Sequence, residues 1–75
     1  MIAAYVLVQI SAKDPSDVVE NIRGIEGVKQ AHLTFGPTDC IAFIEVPDQD
    51  ALGKCVVAIK AVKGVERTDT RLAAV

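Results

Sequence analysis

Two stretches of the chain, VVENIRGIEGVK at Val18–Lys29 and CVVAIKAVKGVE at Cys55–Glu66, superpose at an offset of 37 residues. Ile22 falls on Ile59, Arg23 on Lys60, Ile25 on Val62, Gly27 on Gly64 and Val28 on Val65. Both read as an amphipathic helix, a glycine and the start of a strand. Upstream of each lies an apolar run, AAYVLVQI at Ala3–Ile10 and CIAFIEV at Cys40–Val46. Runs of this length, rich in β-branched and aromatic residues, are strands. The chain is therefore strand, helix, strand, twice over.

The helices are bounded by their caps. Asp14 precedes Pro15, whose missing N–H costs nothing at the first helical position, and Asp17 completes something like a capping box. Val18, Ile22 and Ile25 make an apolar stripe with Val19 at its margin, and Gly27 is expected to end the helix. The second helix opens near Asp48 or Asp50. Leu52, Cys55, Val56, Ile59 and Val62 recur at the helical period until Gly64 stops it. Gly53 inside it costs up to ~1 kcal/mol relative to alanine, which the stripe overrides.

The strands differ among themselves. The first and third are apolar at nearly every position, as central strands are. VKQAHLTF at Val28–Phe35 sets Ala31, Leu33 and Phe35 on one face and Gln30, His32 and Thr34 on the other, and VERTDTRLAAV at Val65–Val75 is polar through Arg71; both read as edges. A ferredoxin-like βαββαβ sandwich follows: a four-stranded antiparallel sheet in the order 4-1-3-2, with two helices on one face and right-handed crossovers. One copy has nothing to cover the second face of its apolar central strands. The exposed patch would exceed the few hundred Å² a monomer usually shows, so dimerisation through the open sheet face is expected.

Composition narrows the function. Seventy-five residues form one domain, of the size that buries only roughly 60% of its unfolded surface and gains stability by association. With two cysteines and one histidine there is no metal-site pattern, and Cys40 and Cys55 read as small buried hydrophobes rather than a disulfide. His32, alone on a polar strand face, is assigned no role. No apolar run approaches the ~18 residues of a membrane span, and no leader pattern follows Met1, so a cytoplasmic location is expected. A net charge of −2 with scattered Lys and Arg excludes a phosphate-tracking surface, so no direct nucleic-acid binding is expected.

The stretch LTFGPTDCIAFIEV at Leu33–Val46 places Asp39 at the mouth of a buried strand. A carboxylate there needs a structural partner in the turn or a ligand. Asp39 can accept a hydrogen bond from an ammonium.

The order of a strand from near Met1, a second strand opening on Gly-Val, the FGPTD turn, a helix after Pro47 and the closing GVERTDT resembles the C-terminal effector domain of Lrp/AsnC regulators, also called RAM. The resemblance covers residues 1–75 as a single domain, with no helix-turn-helix domain, like the stand-alone members. It implies a homodimer that assembles further into octamers or decamers, with an amino acid held in clefts between dimers. By position, Gly36, Asp39, Thr68 and Thr70 would line that cleft: Asp39 would accept from the ammonium of the amino acid, and backbone N–H groups after Gly36 with the hydroxyls of Thr68 and Thr70 would donate to its carboxylate. Thr38 stands where the family often carries an aromatic or bulky residue. No catalytic residue, cofactor or metal is implied. The role implied is transcriptional modulation through a partner, such as a full-length Lrp/AsnC regulator. Two alternatives remain open from the residues: a small dimeric αβ-barrel enzyme, against which the lack of a paired nucleophile and base stands, and a ligand-free assembly subunit, favoured if Asp39 pairs with Arg67 or Arg71. A heavy-metal domain is a poor fit, because QISAKDP carries no Cys-x-x-Cys.

Overall fold

A computed structural model describes residues 1–11, 13–36 and 39–73. The elements run β1 (Ile2–Ile10), α1 (Pro15–Arg23), β2 (Val28–Leu33), β3 (Cys40–Val46), α2 (Gln49–Lys60) and β4 (Val65–Leu72). The sheet order β2-β3-β1-β4, antiparallel throughout, is the expected order read from the other edge.

Register assigns the faces. Ala4, Val6 and Val8 of β1 pair with Ile44, Ala42 and Cys40 of β3, and all six are fully buried. Val18, Val19 and Ile22 of α1 and Cys55 and Ile59 of α2 close over them as one core. The intervening residues Tyr5 and Leu7 pair with Phe43 and Ile41 on the opposite face, which no helix covers. There the rings of Tyr5 and Phe43 lie 5.1 Å apart, tilted by 47°. Tyr5 remains exposed in the single chain.

The internal repeat is structural. After each helix the same backbone path returns to the sheet: Ile25 N–H donates to Ile22 O and Val28 N–H to Ile25 O, as Val62 N–H does to Ile59 O and Val65 N–H to Val62 O, all at 3.1 Å. Gly27 and Gly64 both sit at φ 100°. Their carbonyls accept from Glu45 N–H at 3.0 Å and Ser11 N–H at 2.8 Å. The register shifts between Val28 and Gln30 and between Arg67 and Val65, so Lys29 and Glu66 are equivalent extra residues in the two edge strands. Such a bulge increases local twist and discourages edge-to-edge pairing.

Three expectations are corrected. The helices stop at Arg23 and Lys60, capped by Gly24 and Ala61 in right-handed geometry. Gly27 and Gly64 instead turn the chain into the strands, a task for a positive φ. The capping box at α1 does not form: Asp14 Oδ1 is taken by Ser16 Oγ at 2.6 Å and makes no bond to the helix N-terminus. Asp48 does cap α2, accepting from Ala51 N–H at 2.8 Å. On β2 only Ala31 is buried. Leu33, the last residue of the strand, is half-exposed, and Phe35 lies beyond it, where no pairing holds it inward.

Gly27 is irreplaceable for two reasons, since an added Cβ would also meet Val46 Cγ1 at 3.0 Å and Cys55 Sγ at 3.4 Å. Gly53 has nothing within 4 Å of its Cβ position. Gly27→Ala should therefore destabilise the fold by about 1–2 kcal/mol or more, whereas Gly53→Ala should raise stability by up to ~1 kcal/mol. Denaturant unfolding of the two variants checks the opposite signs.

Candidate functional site

At the end of the sheet, β1 outruns its neighbour. Val8 faces Cys40, the first residue of β3, and Ile10 has no backbone partner in that strand. Alternation along a strand points the Ile10 N–H to the same side as Val8, toward β3. Left unpaired while partly buried, that donor would cost about 1–3 kcal/mol. Asp39 supplies the acceptor: its Oδ2 takes the Ile10 N–H at 2.9 Å. Its own N–H donates to Val8 O at 3.0 Å, and its carbonyl accepts Thr34 N–H at 2.8 Å. The residue is pinned by three bonds.

The carboxylate thus has the structural partner that the sequence left undecided. Its second oxygen has no hydrogen bond among the described residues. Nor does Asp39 form an ion pair there with Arg67 or Arg71, which lie on β4 with β1 in between; Arg71 pairs with Asp69 at 3.0 Å. Gly36 stands on the turn before it at φ 133°, with no atom within 4 Å of its Cβ position, and Phe35 is fully exposed. Thr38 lies outside the described residues.

Register separates the two threonines from Asp39. Val8 lies between Cys40 and Thr68, and Val6 between Ala42 and Thr70. Thr68 and Thr70 therefore share the helix-side face of β4, with β1 between them and Asp39. Two strand spacings make about 10 Å. Thr68 is partly buried and reaches the same end of the sheet as Asp39, whereas Thr70 is exposed and two residues further along. Thr68 borders a cavity of about 300 Å³ with Lys60 and Arg67, to which Asp39 does not contribute. The register thus keeps Asp39, just before β3, apart from the two threonines on β4, with β1 between them.

Elsewhere the chemistry is sparse. Among the described residues no three metal-ligating side chains cluster, no polar side chain is buried, and no helix is long and apolar enough to cross a membrane. Cys40 and Cys55 are free and buried, and burial pushes both thiols up. At Cys40, a backbone hydrogen bond at His32 and the charge of Arg23 oppose that rise. Sequence reasoning did not find a second concavity, of about 760 Å³, lined by Ile25, Val46, Ala51 and Cys55 at the opposite end of β3. Its walls come from separate elements, and no local motif marks them.

The chain belongs to the Lrp/AsnC ligand-binding domain family, which matches residues 3–74. Among solved structures it is similar to TTHA0845 from Thermus thermophilus, with 32% identity and a TM-score of 0.91 over 99% of this chain and 94% of that one. It has the fold of the transcriptional regulator NMB0573 of Neisseria meningitidis, crystallised with L-methionine, at 22% identity and a TM-score of 0.85. The feast or famine regulatory protein Rv3291c from M. tuberculosis, complexed with L-methionine, is a further relative in fold at 22% identity and a TM-score of 0.79. The chain is covered over 97% in both cases but spans 49% and 50% of those two proteins. No curated protein matches it.

Asp39 can be tested as a structural acceptor alone. Asp39→Ala should cost about 1–3 kcal/mol in unfolding free energy through the orphaned Ile10 N–H, whereas Asp39→Asn, which keeps an oxygen for that bond, should stay within about 0.5 kcal/mol of the parent. Equal losses in both variants, measured by chemical denaturation, would contradict the assignment.

Proposed function

We propose that this domain binds a free amino acid and passes the signal to transcription through a partner, without contacting DNA itself. The observation that carries the reading is the half-satisfied carboxylate of Asp39, whose Oδ2 is fixed by Ile10 while the other oxygen has no hydrogen bond among the described residues. A carboxylate anchored in this way offers an ammonium group an acceptor whose orientation is already fixed. Gly36 beside it leaves the backbone open to approach, and Thr38, Thr68 and Thr70 supply hydroxyl donors once a neighbouring copy completes the cleft. The L-methionine complexes of NMB0573 and Rv3291c support an amino acid as the class of ligand.

The dimer forms through the open sheet face, where Tyr5, Leu7, Ile41 and Phe43 present an apolar surface. Dimers then assemble into octamers or decamers, with the amino acid between them and a full-length Lrp/AsnC regulator as the partner, in the cytoplasm. The Lrp/AsnC family match favours a regulatory role over the enzyme reading, and among the described residues Asp39 makes no pair with Arg67 or Arg71, the contact that would favour the assembly-only reading.

A thermal-shift screen of the twenty amino acids tests the proposal. A ligand at 100 times its Kd stabilises the fold by about 2.7 kcal/mol, which is a shift of roughly 10 °C or more for so small a domain. Asp39→Asn should keep the parent melting point yet weaken binding by ~10- to 150-fold, the worth of a charge-assisted hydrogen bond. Silence across the screen, or full affinity in Asp39→Asn, would overturn the ligand role. Tyr5→Glu should leave the fold intact and lower the oligomer mass seen by light scattering; an unchanged mass would remove the open face from the interface.

A further inference from the structure

The two edges of the sheet differ in how their outward backbone groups are satisfied. On β2, Thr34 N–H pairs with Asp39 O, so strand alternation turns the backbone groups of Ala31 outward. The Ala31 carbonyl is closed by Arg23, whose Nε donates to it at 2.9 Å. On β4, Ala73 N–H donates to Ala3 O at 2.9 Å, so the same alternation turns the N–H and C=O groups of Thr68, Thr70 and Leu72 away from β1. Among the described residues nothing bonds to them. The bulge at Glu66 guards only the start of this edge, since the register with β1 is unbroken from Arg67 to Leu72. A regular edge of open backbone groups is a template for another strand.

The side chains of β4 define which strand. Asp69 and Arg71 stand on the open face of the sheet, opposite Leu7 and Tyr5 of β1. Arg71 Nη2 and Nε donate to Asp69 Oδ2 at 3.0 and 3.2 Å, and Asp69 Oδ1 has no hydrogen bond among the described residues. A second β4 laid antiparallel along this edge meets its own sequence, so the position of a twofold axis fixes the register. An axis at Asp69 sets Asp69 against itself and Arg67 against Arg71, and an axis at Arg71 sets Arg71 against itself. Like charges directly opposite are destabilising. An axis at Thr68 draws the bulged Glu66 into the ladder. With the axis at Thr70, Thr70 faces its own copy and Thr68 faces Leu72, and these are the residues with outward backbone groups, so each facing pair exchanges two bonds. Asp69 then faces Arg71 of the other copy on both sides of the axis, and Leu72, exposed in the single chain, packs on Thr68.

We propose that β4 is a self-association edge: two copies pair their β4 strands antiparallel about Thr70 and join two four-stranded sheets into one. The partner is a second copy of this chain, because the charge pattern complements itself at the register that the open backbone groups select. The contact runs in the plane of the sheet. It does not use the open face, and it does not rest on the amino-acid reading at Asp39.

Charge exchange tests the register, with oligomer mass read by light scattering. Asp69→Lys sets lysine against arginine and Arg71→Glu sets glutamate against aspartate, so each variant should fall to about half the parent mass or less. Both positions are exposed, so the core is undisturbed. Mixed in equal amounts, the two variants face Lys with Glu and Arg with Asp and should regain the lost association, as should the double variant alone. Thr70 lies about 5.5 Å from its own copy between Cα atoms, within disulfide reach. Thr70→Cys should therefore give a disulfide-linked dimer under mild oxidation, whereas the parent, with Cys40 and Cys55 buried, should not. Adding Phe43→Glu on the open face should leave that disulfide in place, and a protein silent in the amino-acid screen would still show all of these changes. Unchanged mass in both single variants, no recovery on mixing, or no disulfide in Thr70→Cys would each overturn the proposal. Loss of the disulfide with Phe43→Glu would also overturn it and give the association to the open face.

Discussion

A backbone N–H at the end of a central strand has to be given an acceptor, and here the strand that should provide one begins too late. Ile10 extends past Cys40, and the carboxylate of Asp39 replaces the missing carbonyl at 2.9 Å. The same residue closes the β2–β3 connection through Thr34 and tethers β3 to β1 through Val8. Chain closure at this corner and the aim of one acidic side chain are thus a single event. An anchored carboxylate differs from a mobile one in that its remaining oxygen is held in place before a ligand arrives, so less ordering entropy opposes binding.

The second constraint is size. A domain this small buries one layer of core, and the thirteen buried apolar residues among those described all lie between the helices and one face of the sheet. Tyr5 and Phe43 are left on the other face. If copies pair through that face as proposed, stability and assembly are linked, and a site divided between copies fits that linkage. Asp39 and Thr68 reach the same sheet end from opposite sides of β1, about 10 Å apart in strand spacing.

Much of the architecture was legible because the chain repeats itself. Ile22 and Ile59, Gly27 and Gly64, Val28 and Val65 align in sequence and occupy equivalent places, down to matching hydrogen bonds and matching bulges at Lys29 and Glu66. The helix ends were misjudged because a glycine downstream of a helix reads as its cap, whereas the residues between Arg23 and Gly27 form a separate turn. Asp14 failed as a cap because the nearby Ser16 hydroxyl competes for its carboxylate. The bond between Asp39 and Ile10 was not legible, since it joins residues 29 positions apart and depends on where two strands end relative to each other. The hollow at the Val46 end of β3 was hidden for a similar reason: Ile25, Val46 and Cys55 sit far apart in sequence, and only the topology brings them together.

The central claim is that Asp39 is held by Ile10 on one oxygen and receives a ligand on the other. The direct measurement is a TROSY titration of deuterated, ¹⁵N-labelled protein with the amino acid that gives the largest thermal shift. The account predicts a saturable shift of the Ile10 amide together with Gly36 in the parent protein, weakened in Asp39→Asn in parallel with affinity. A titration that saturates while the Ile10 amide stays unmoved, with its shifts clustered away from this corner of the sheet, would contradict it.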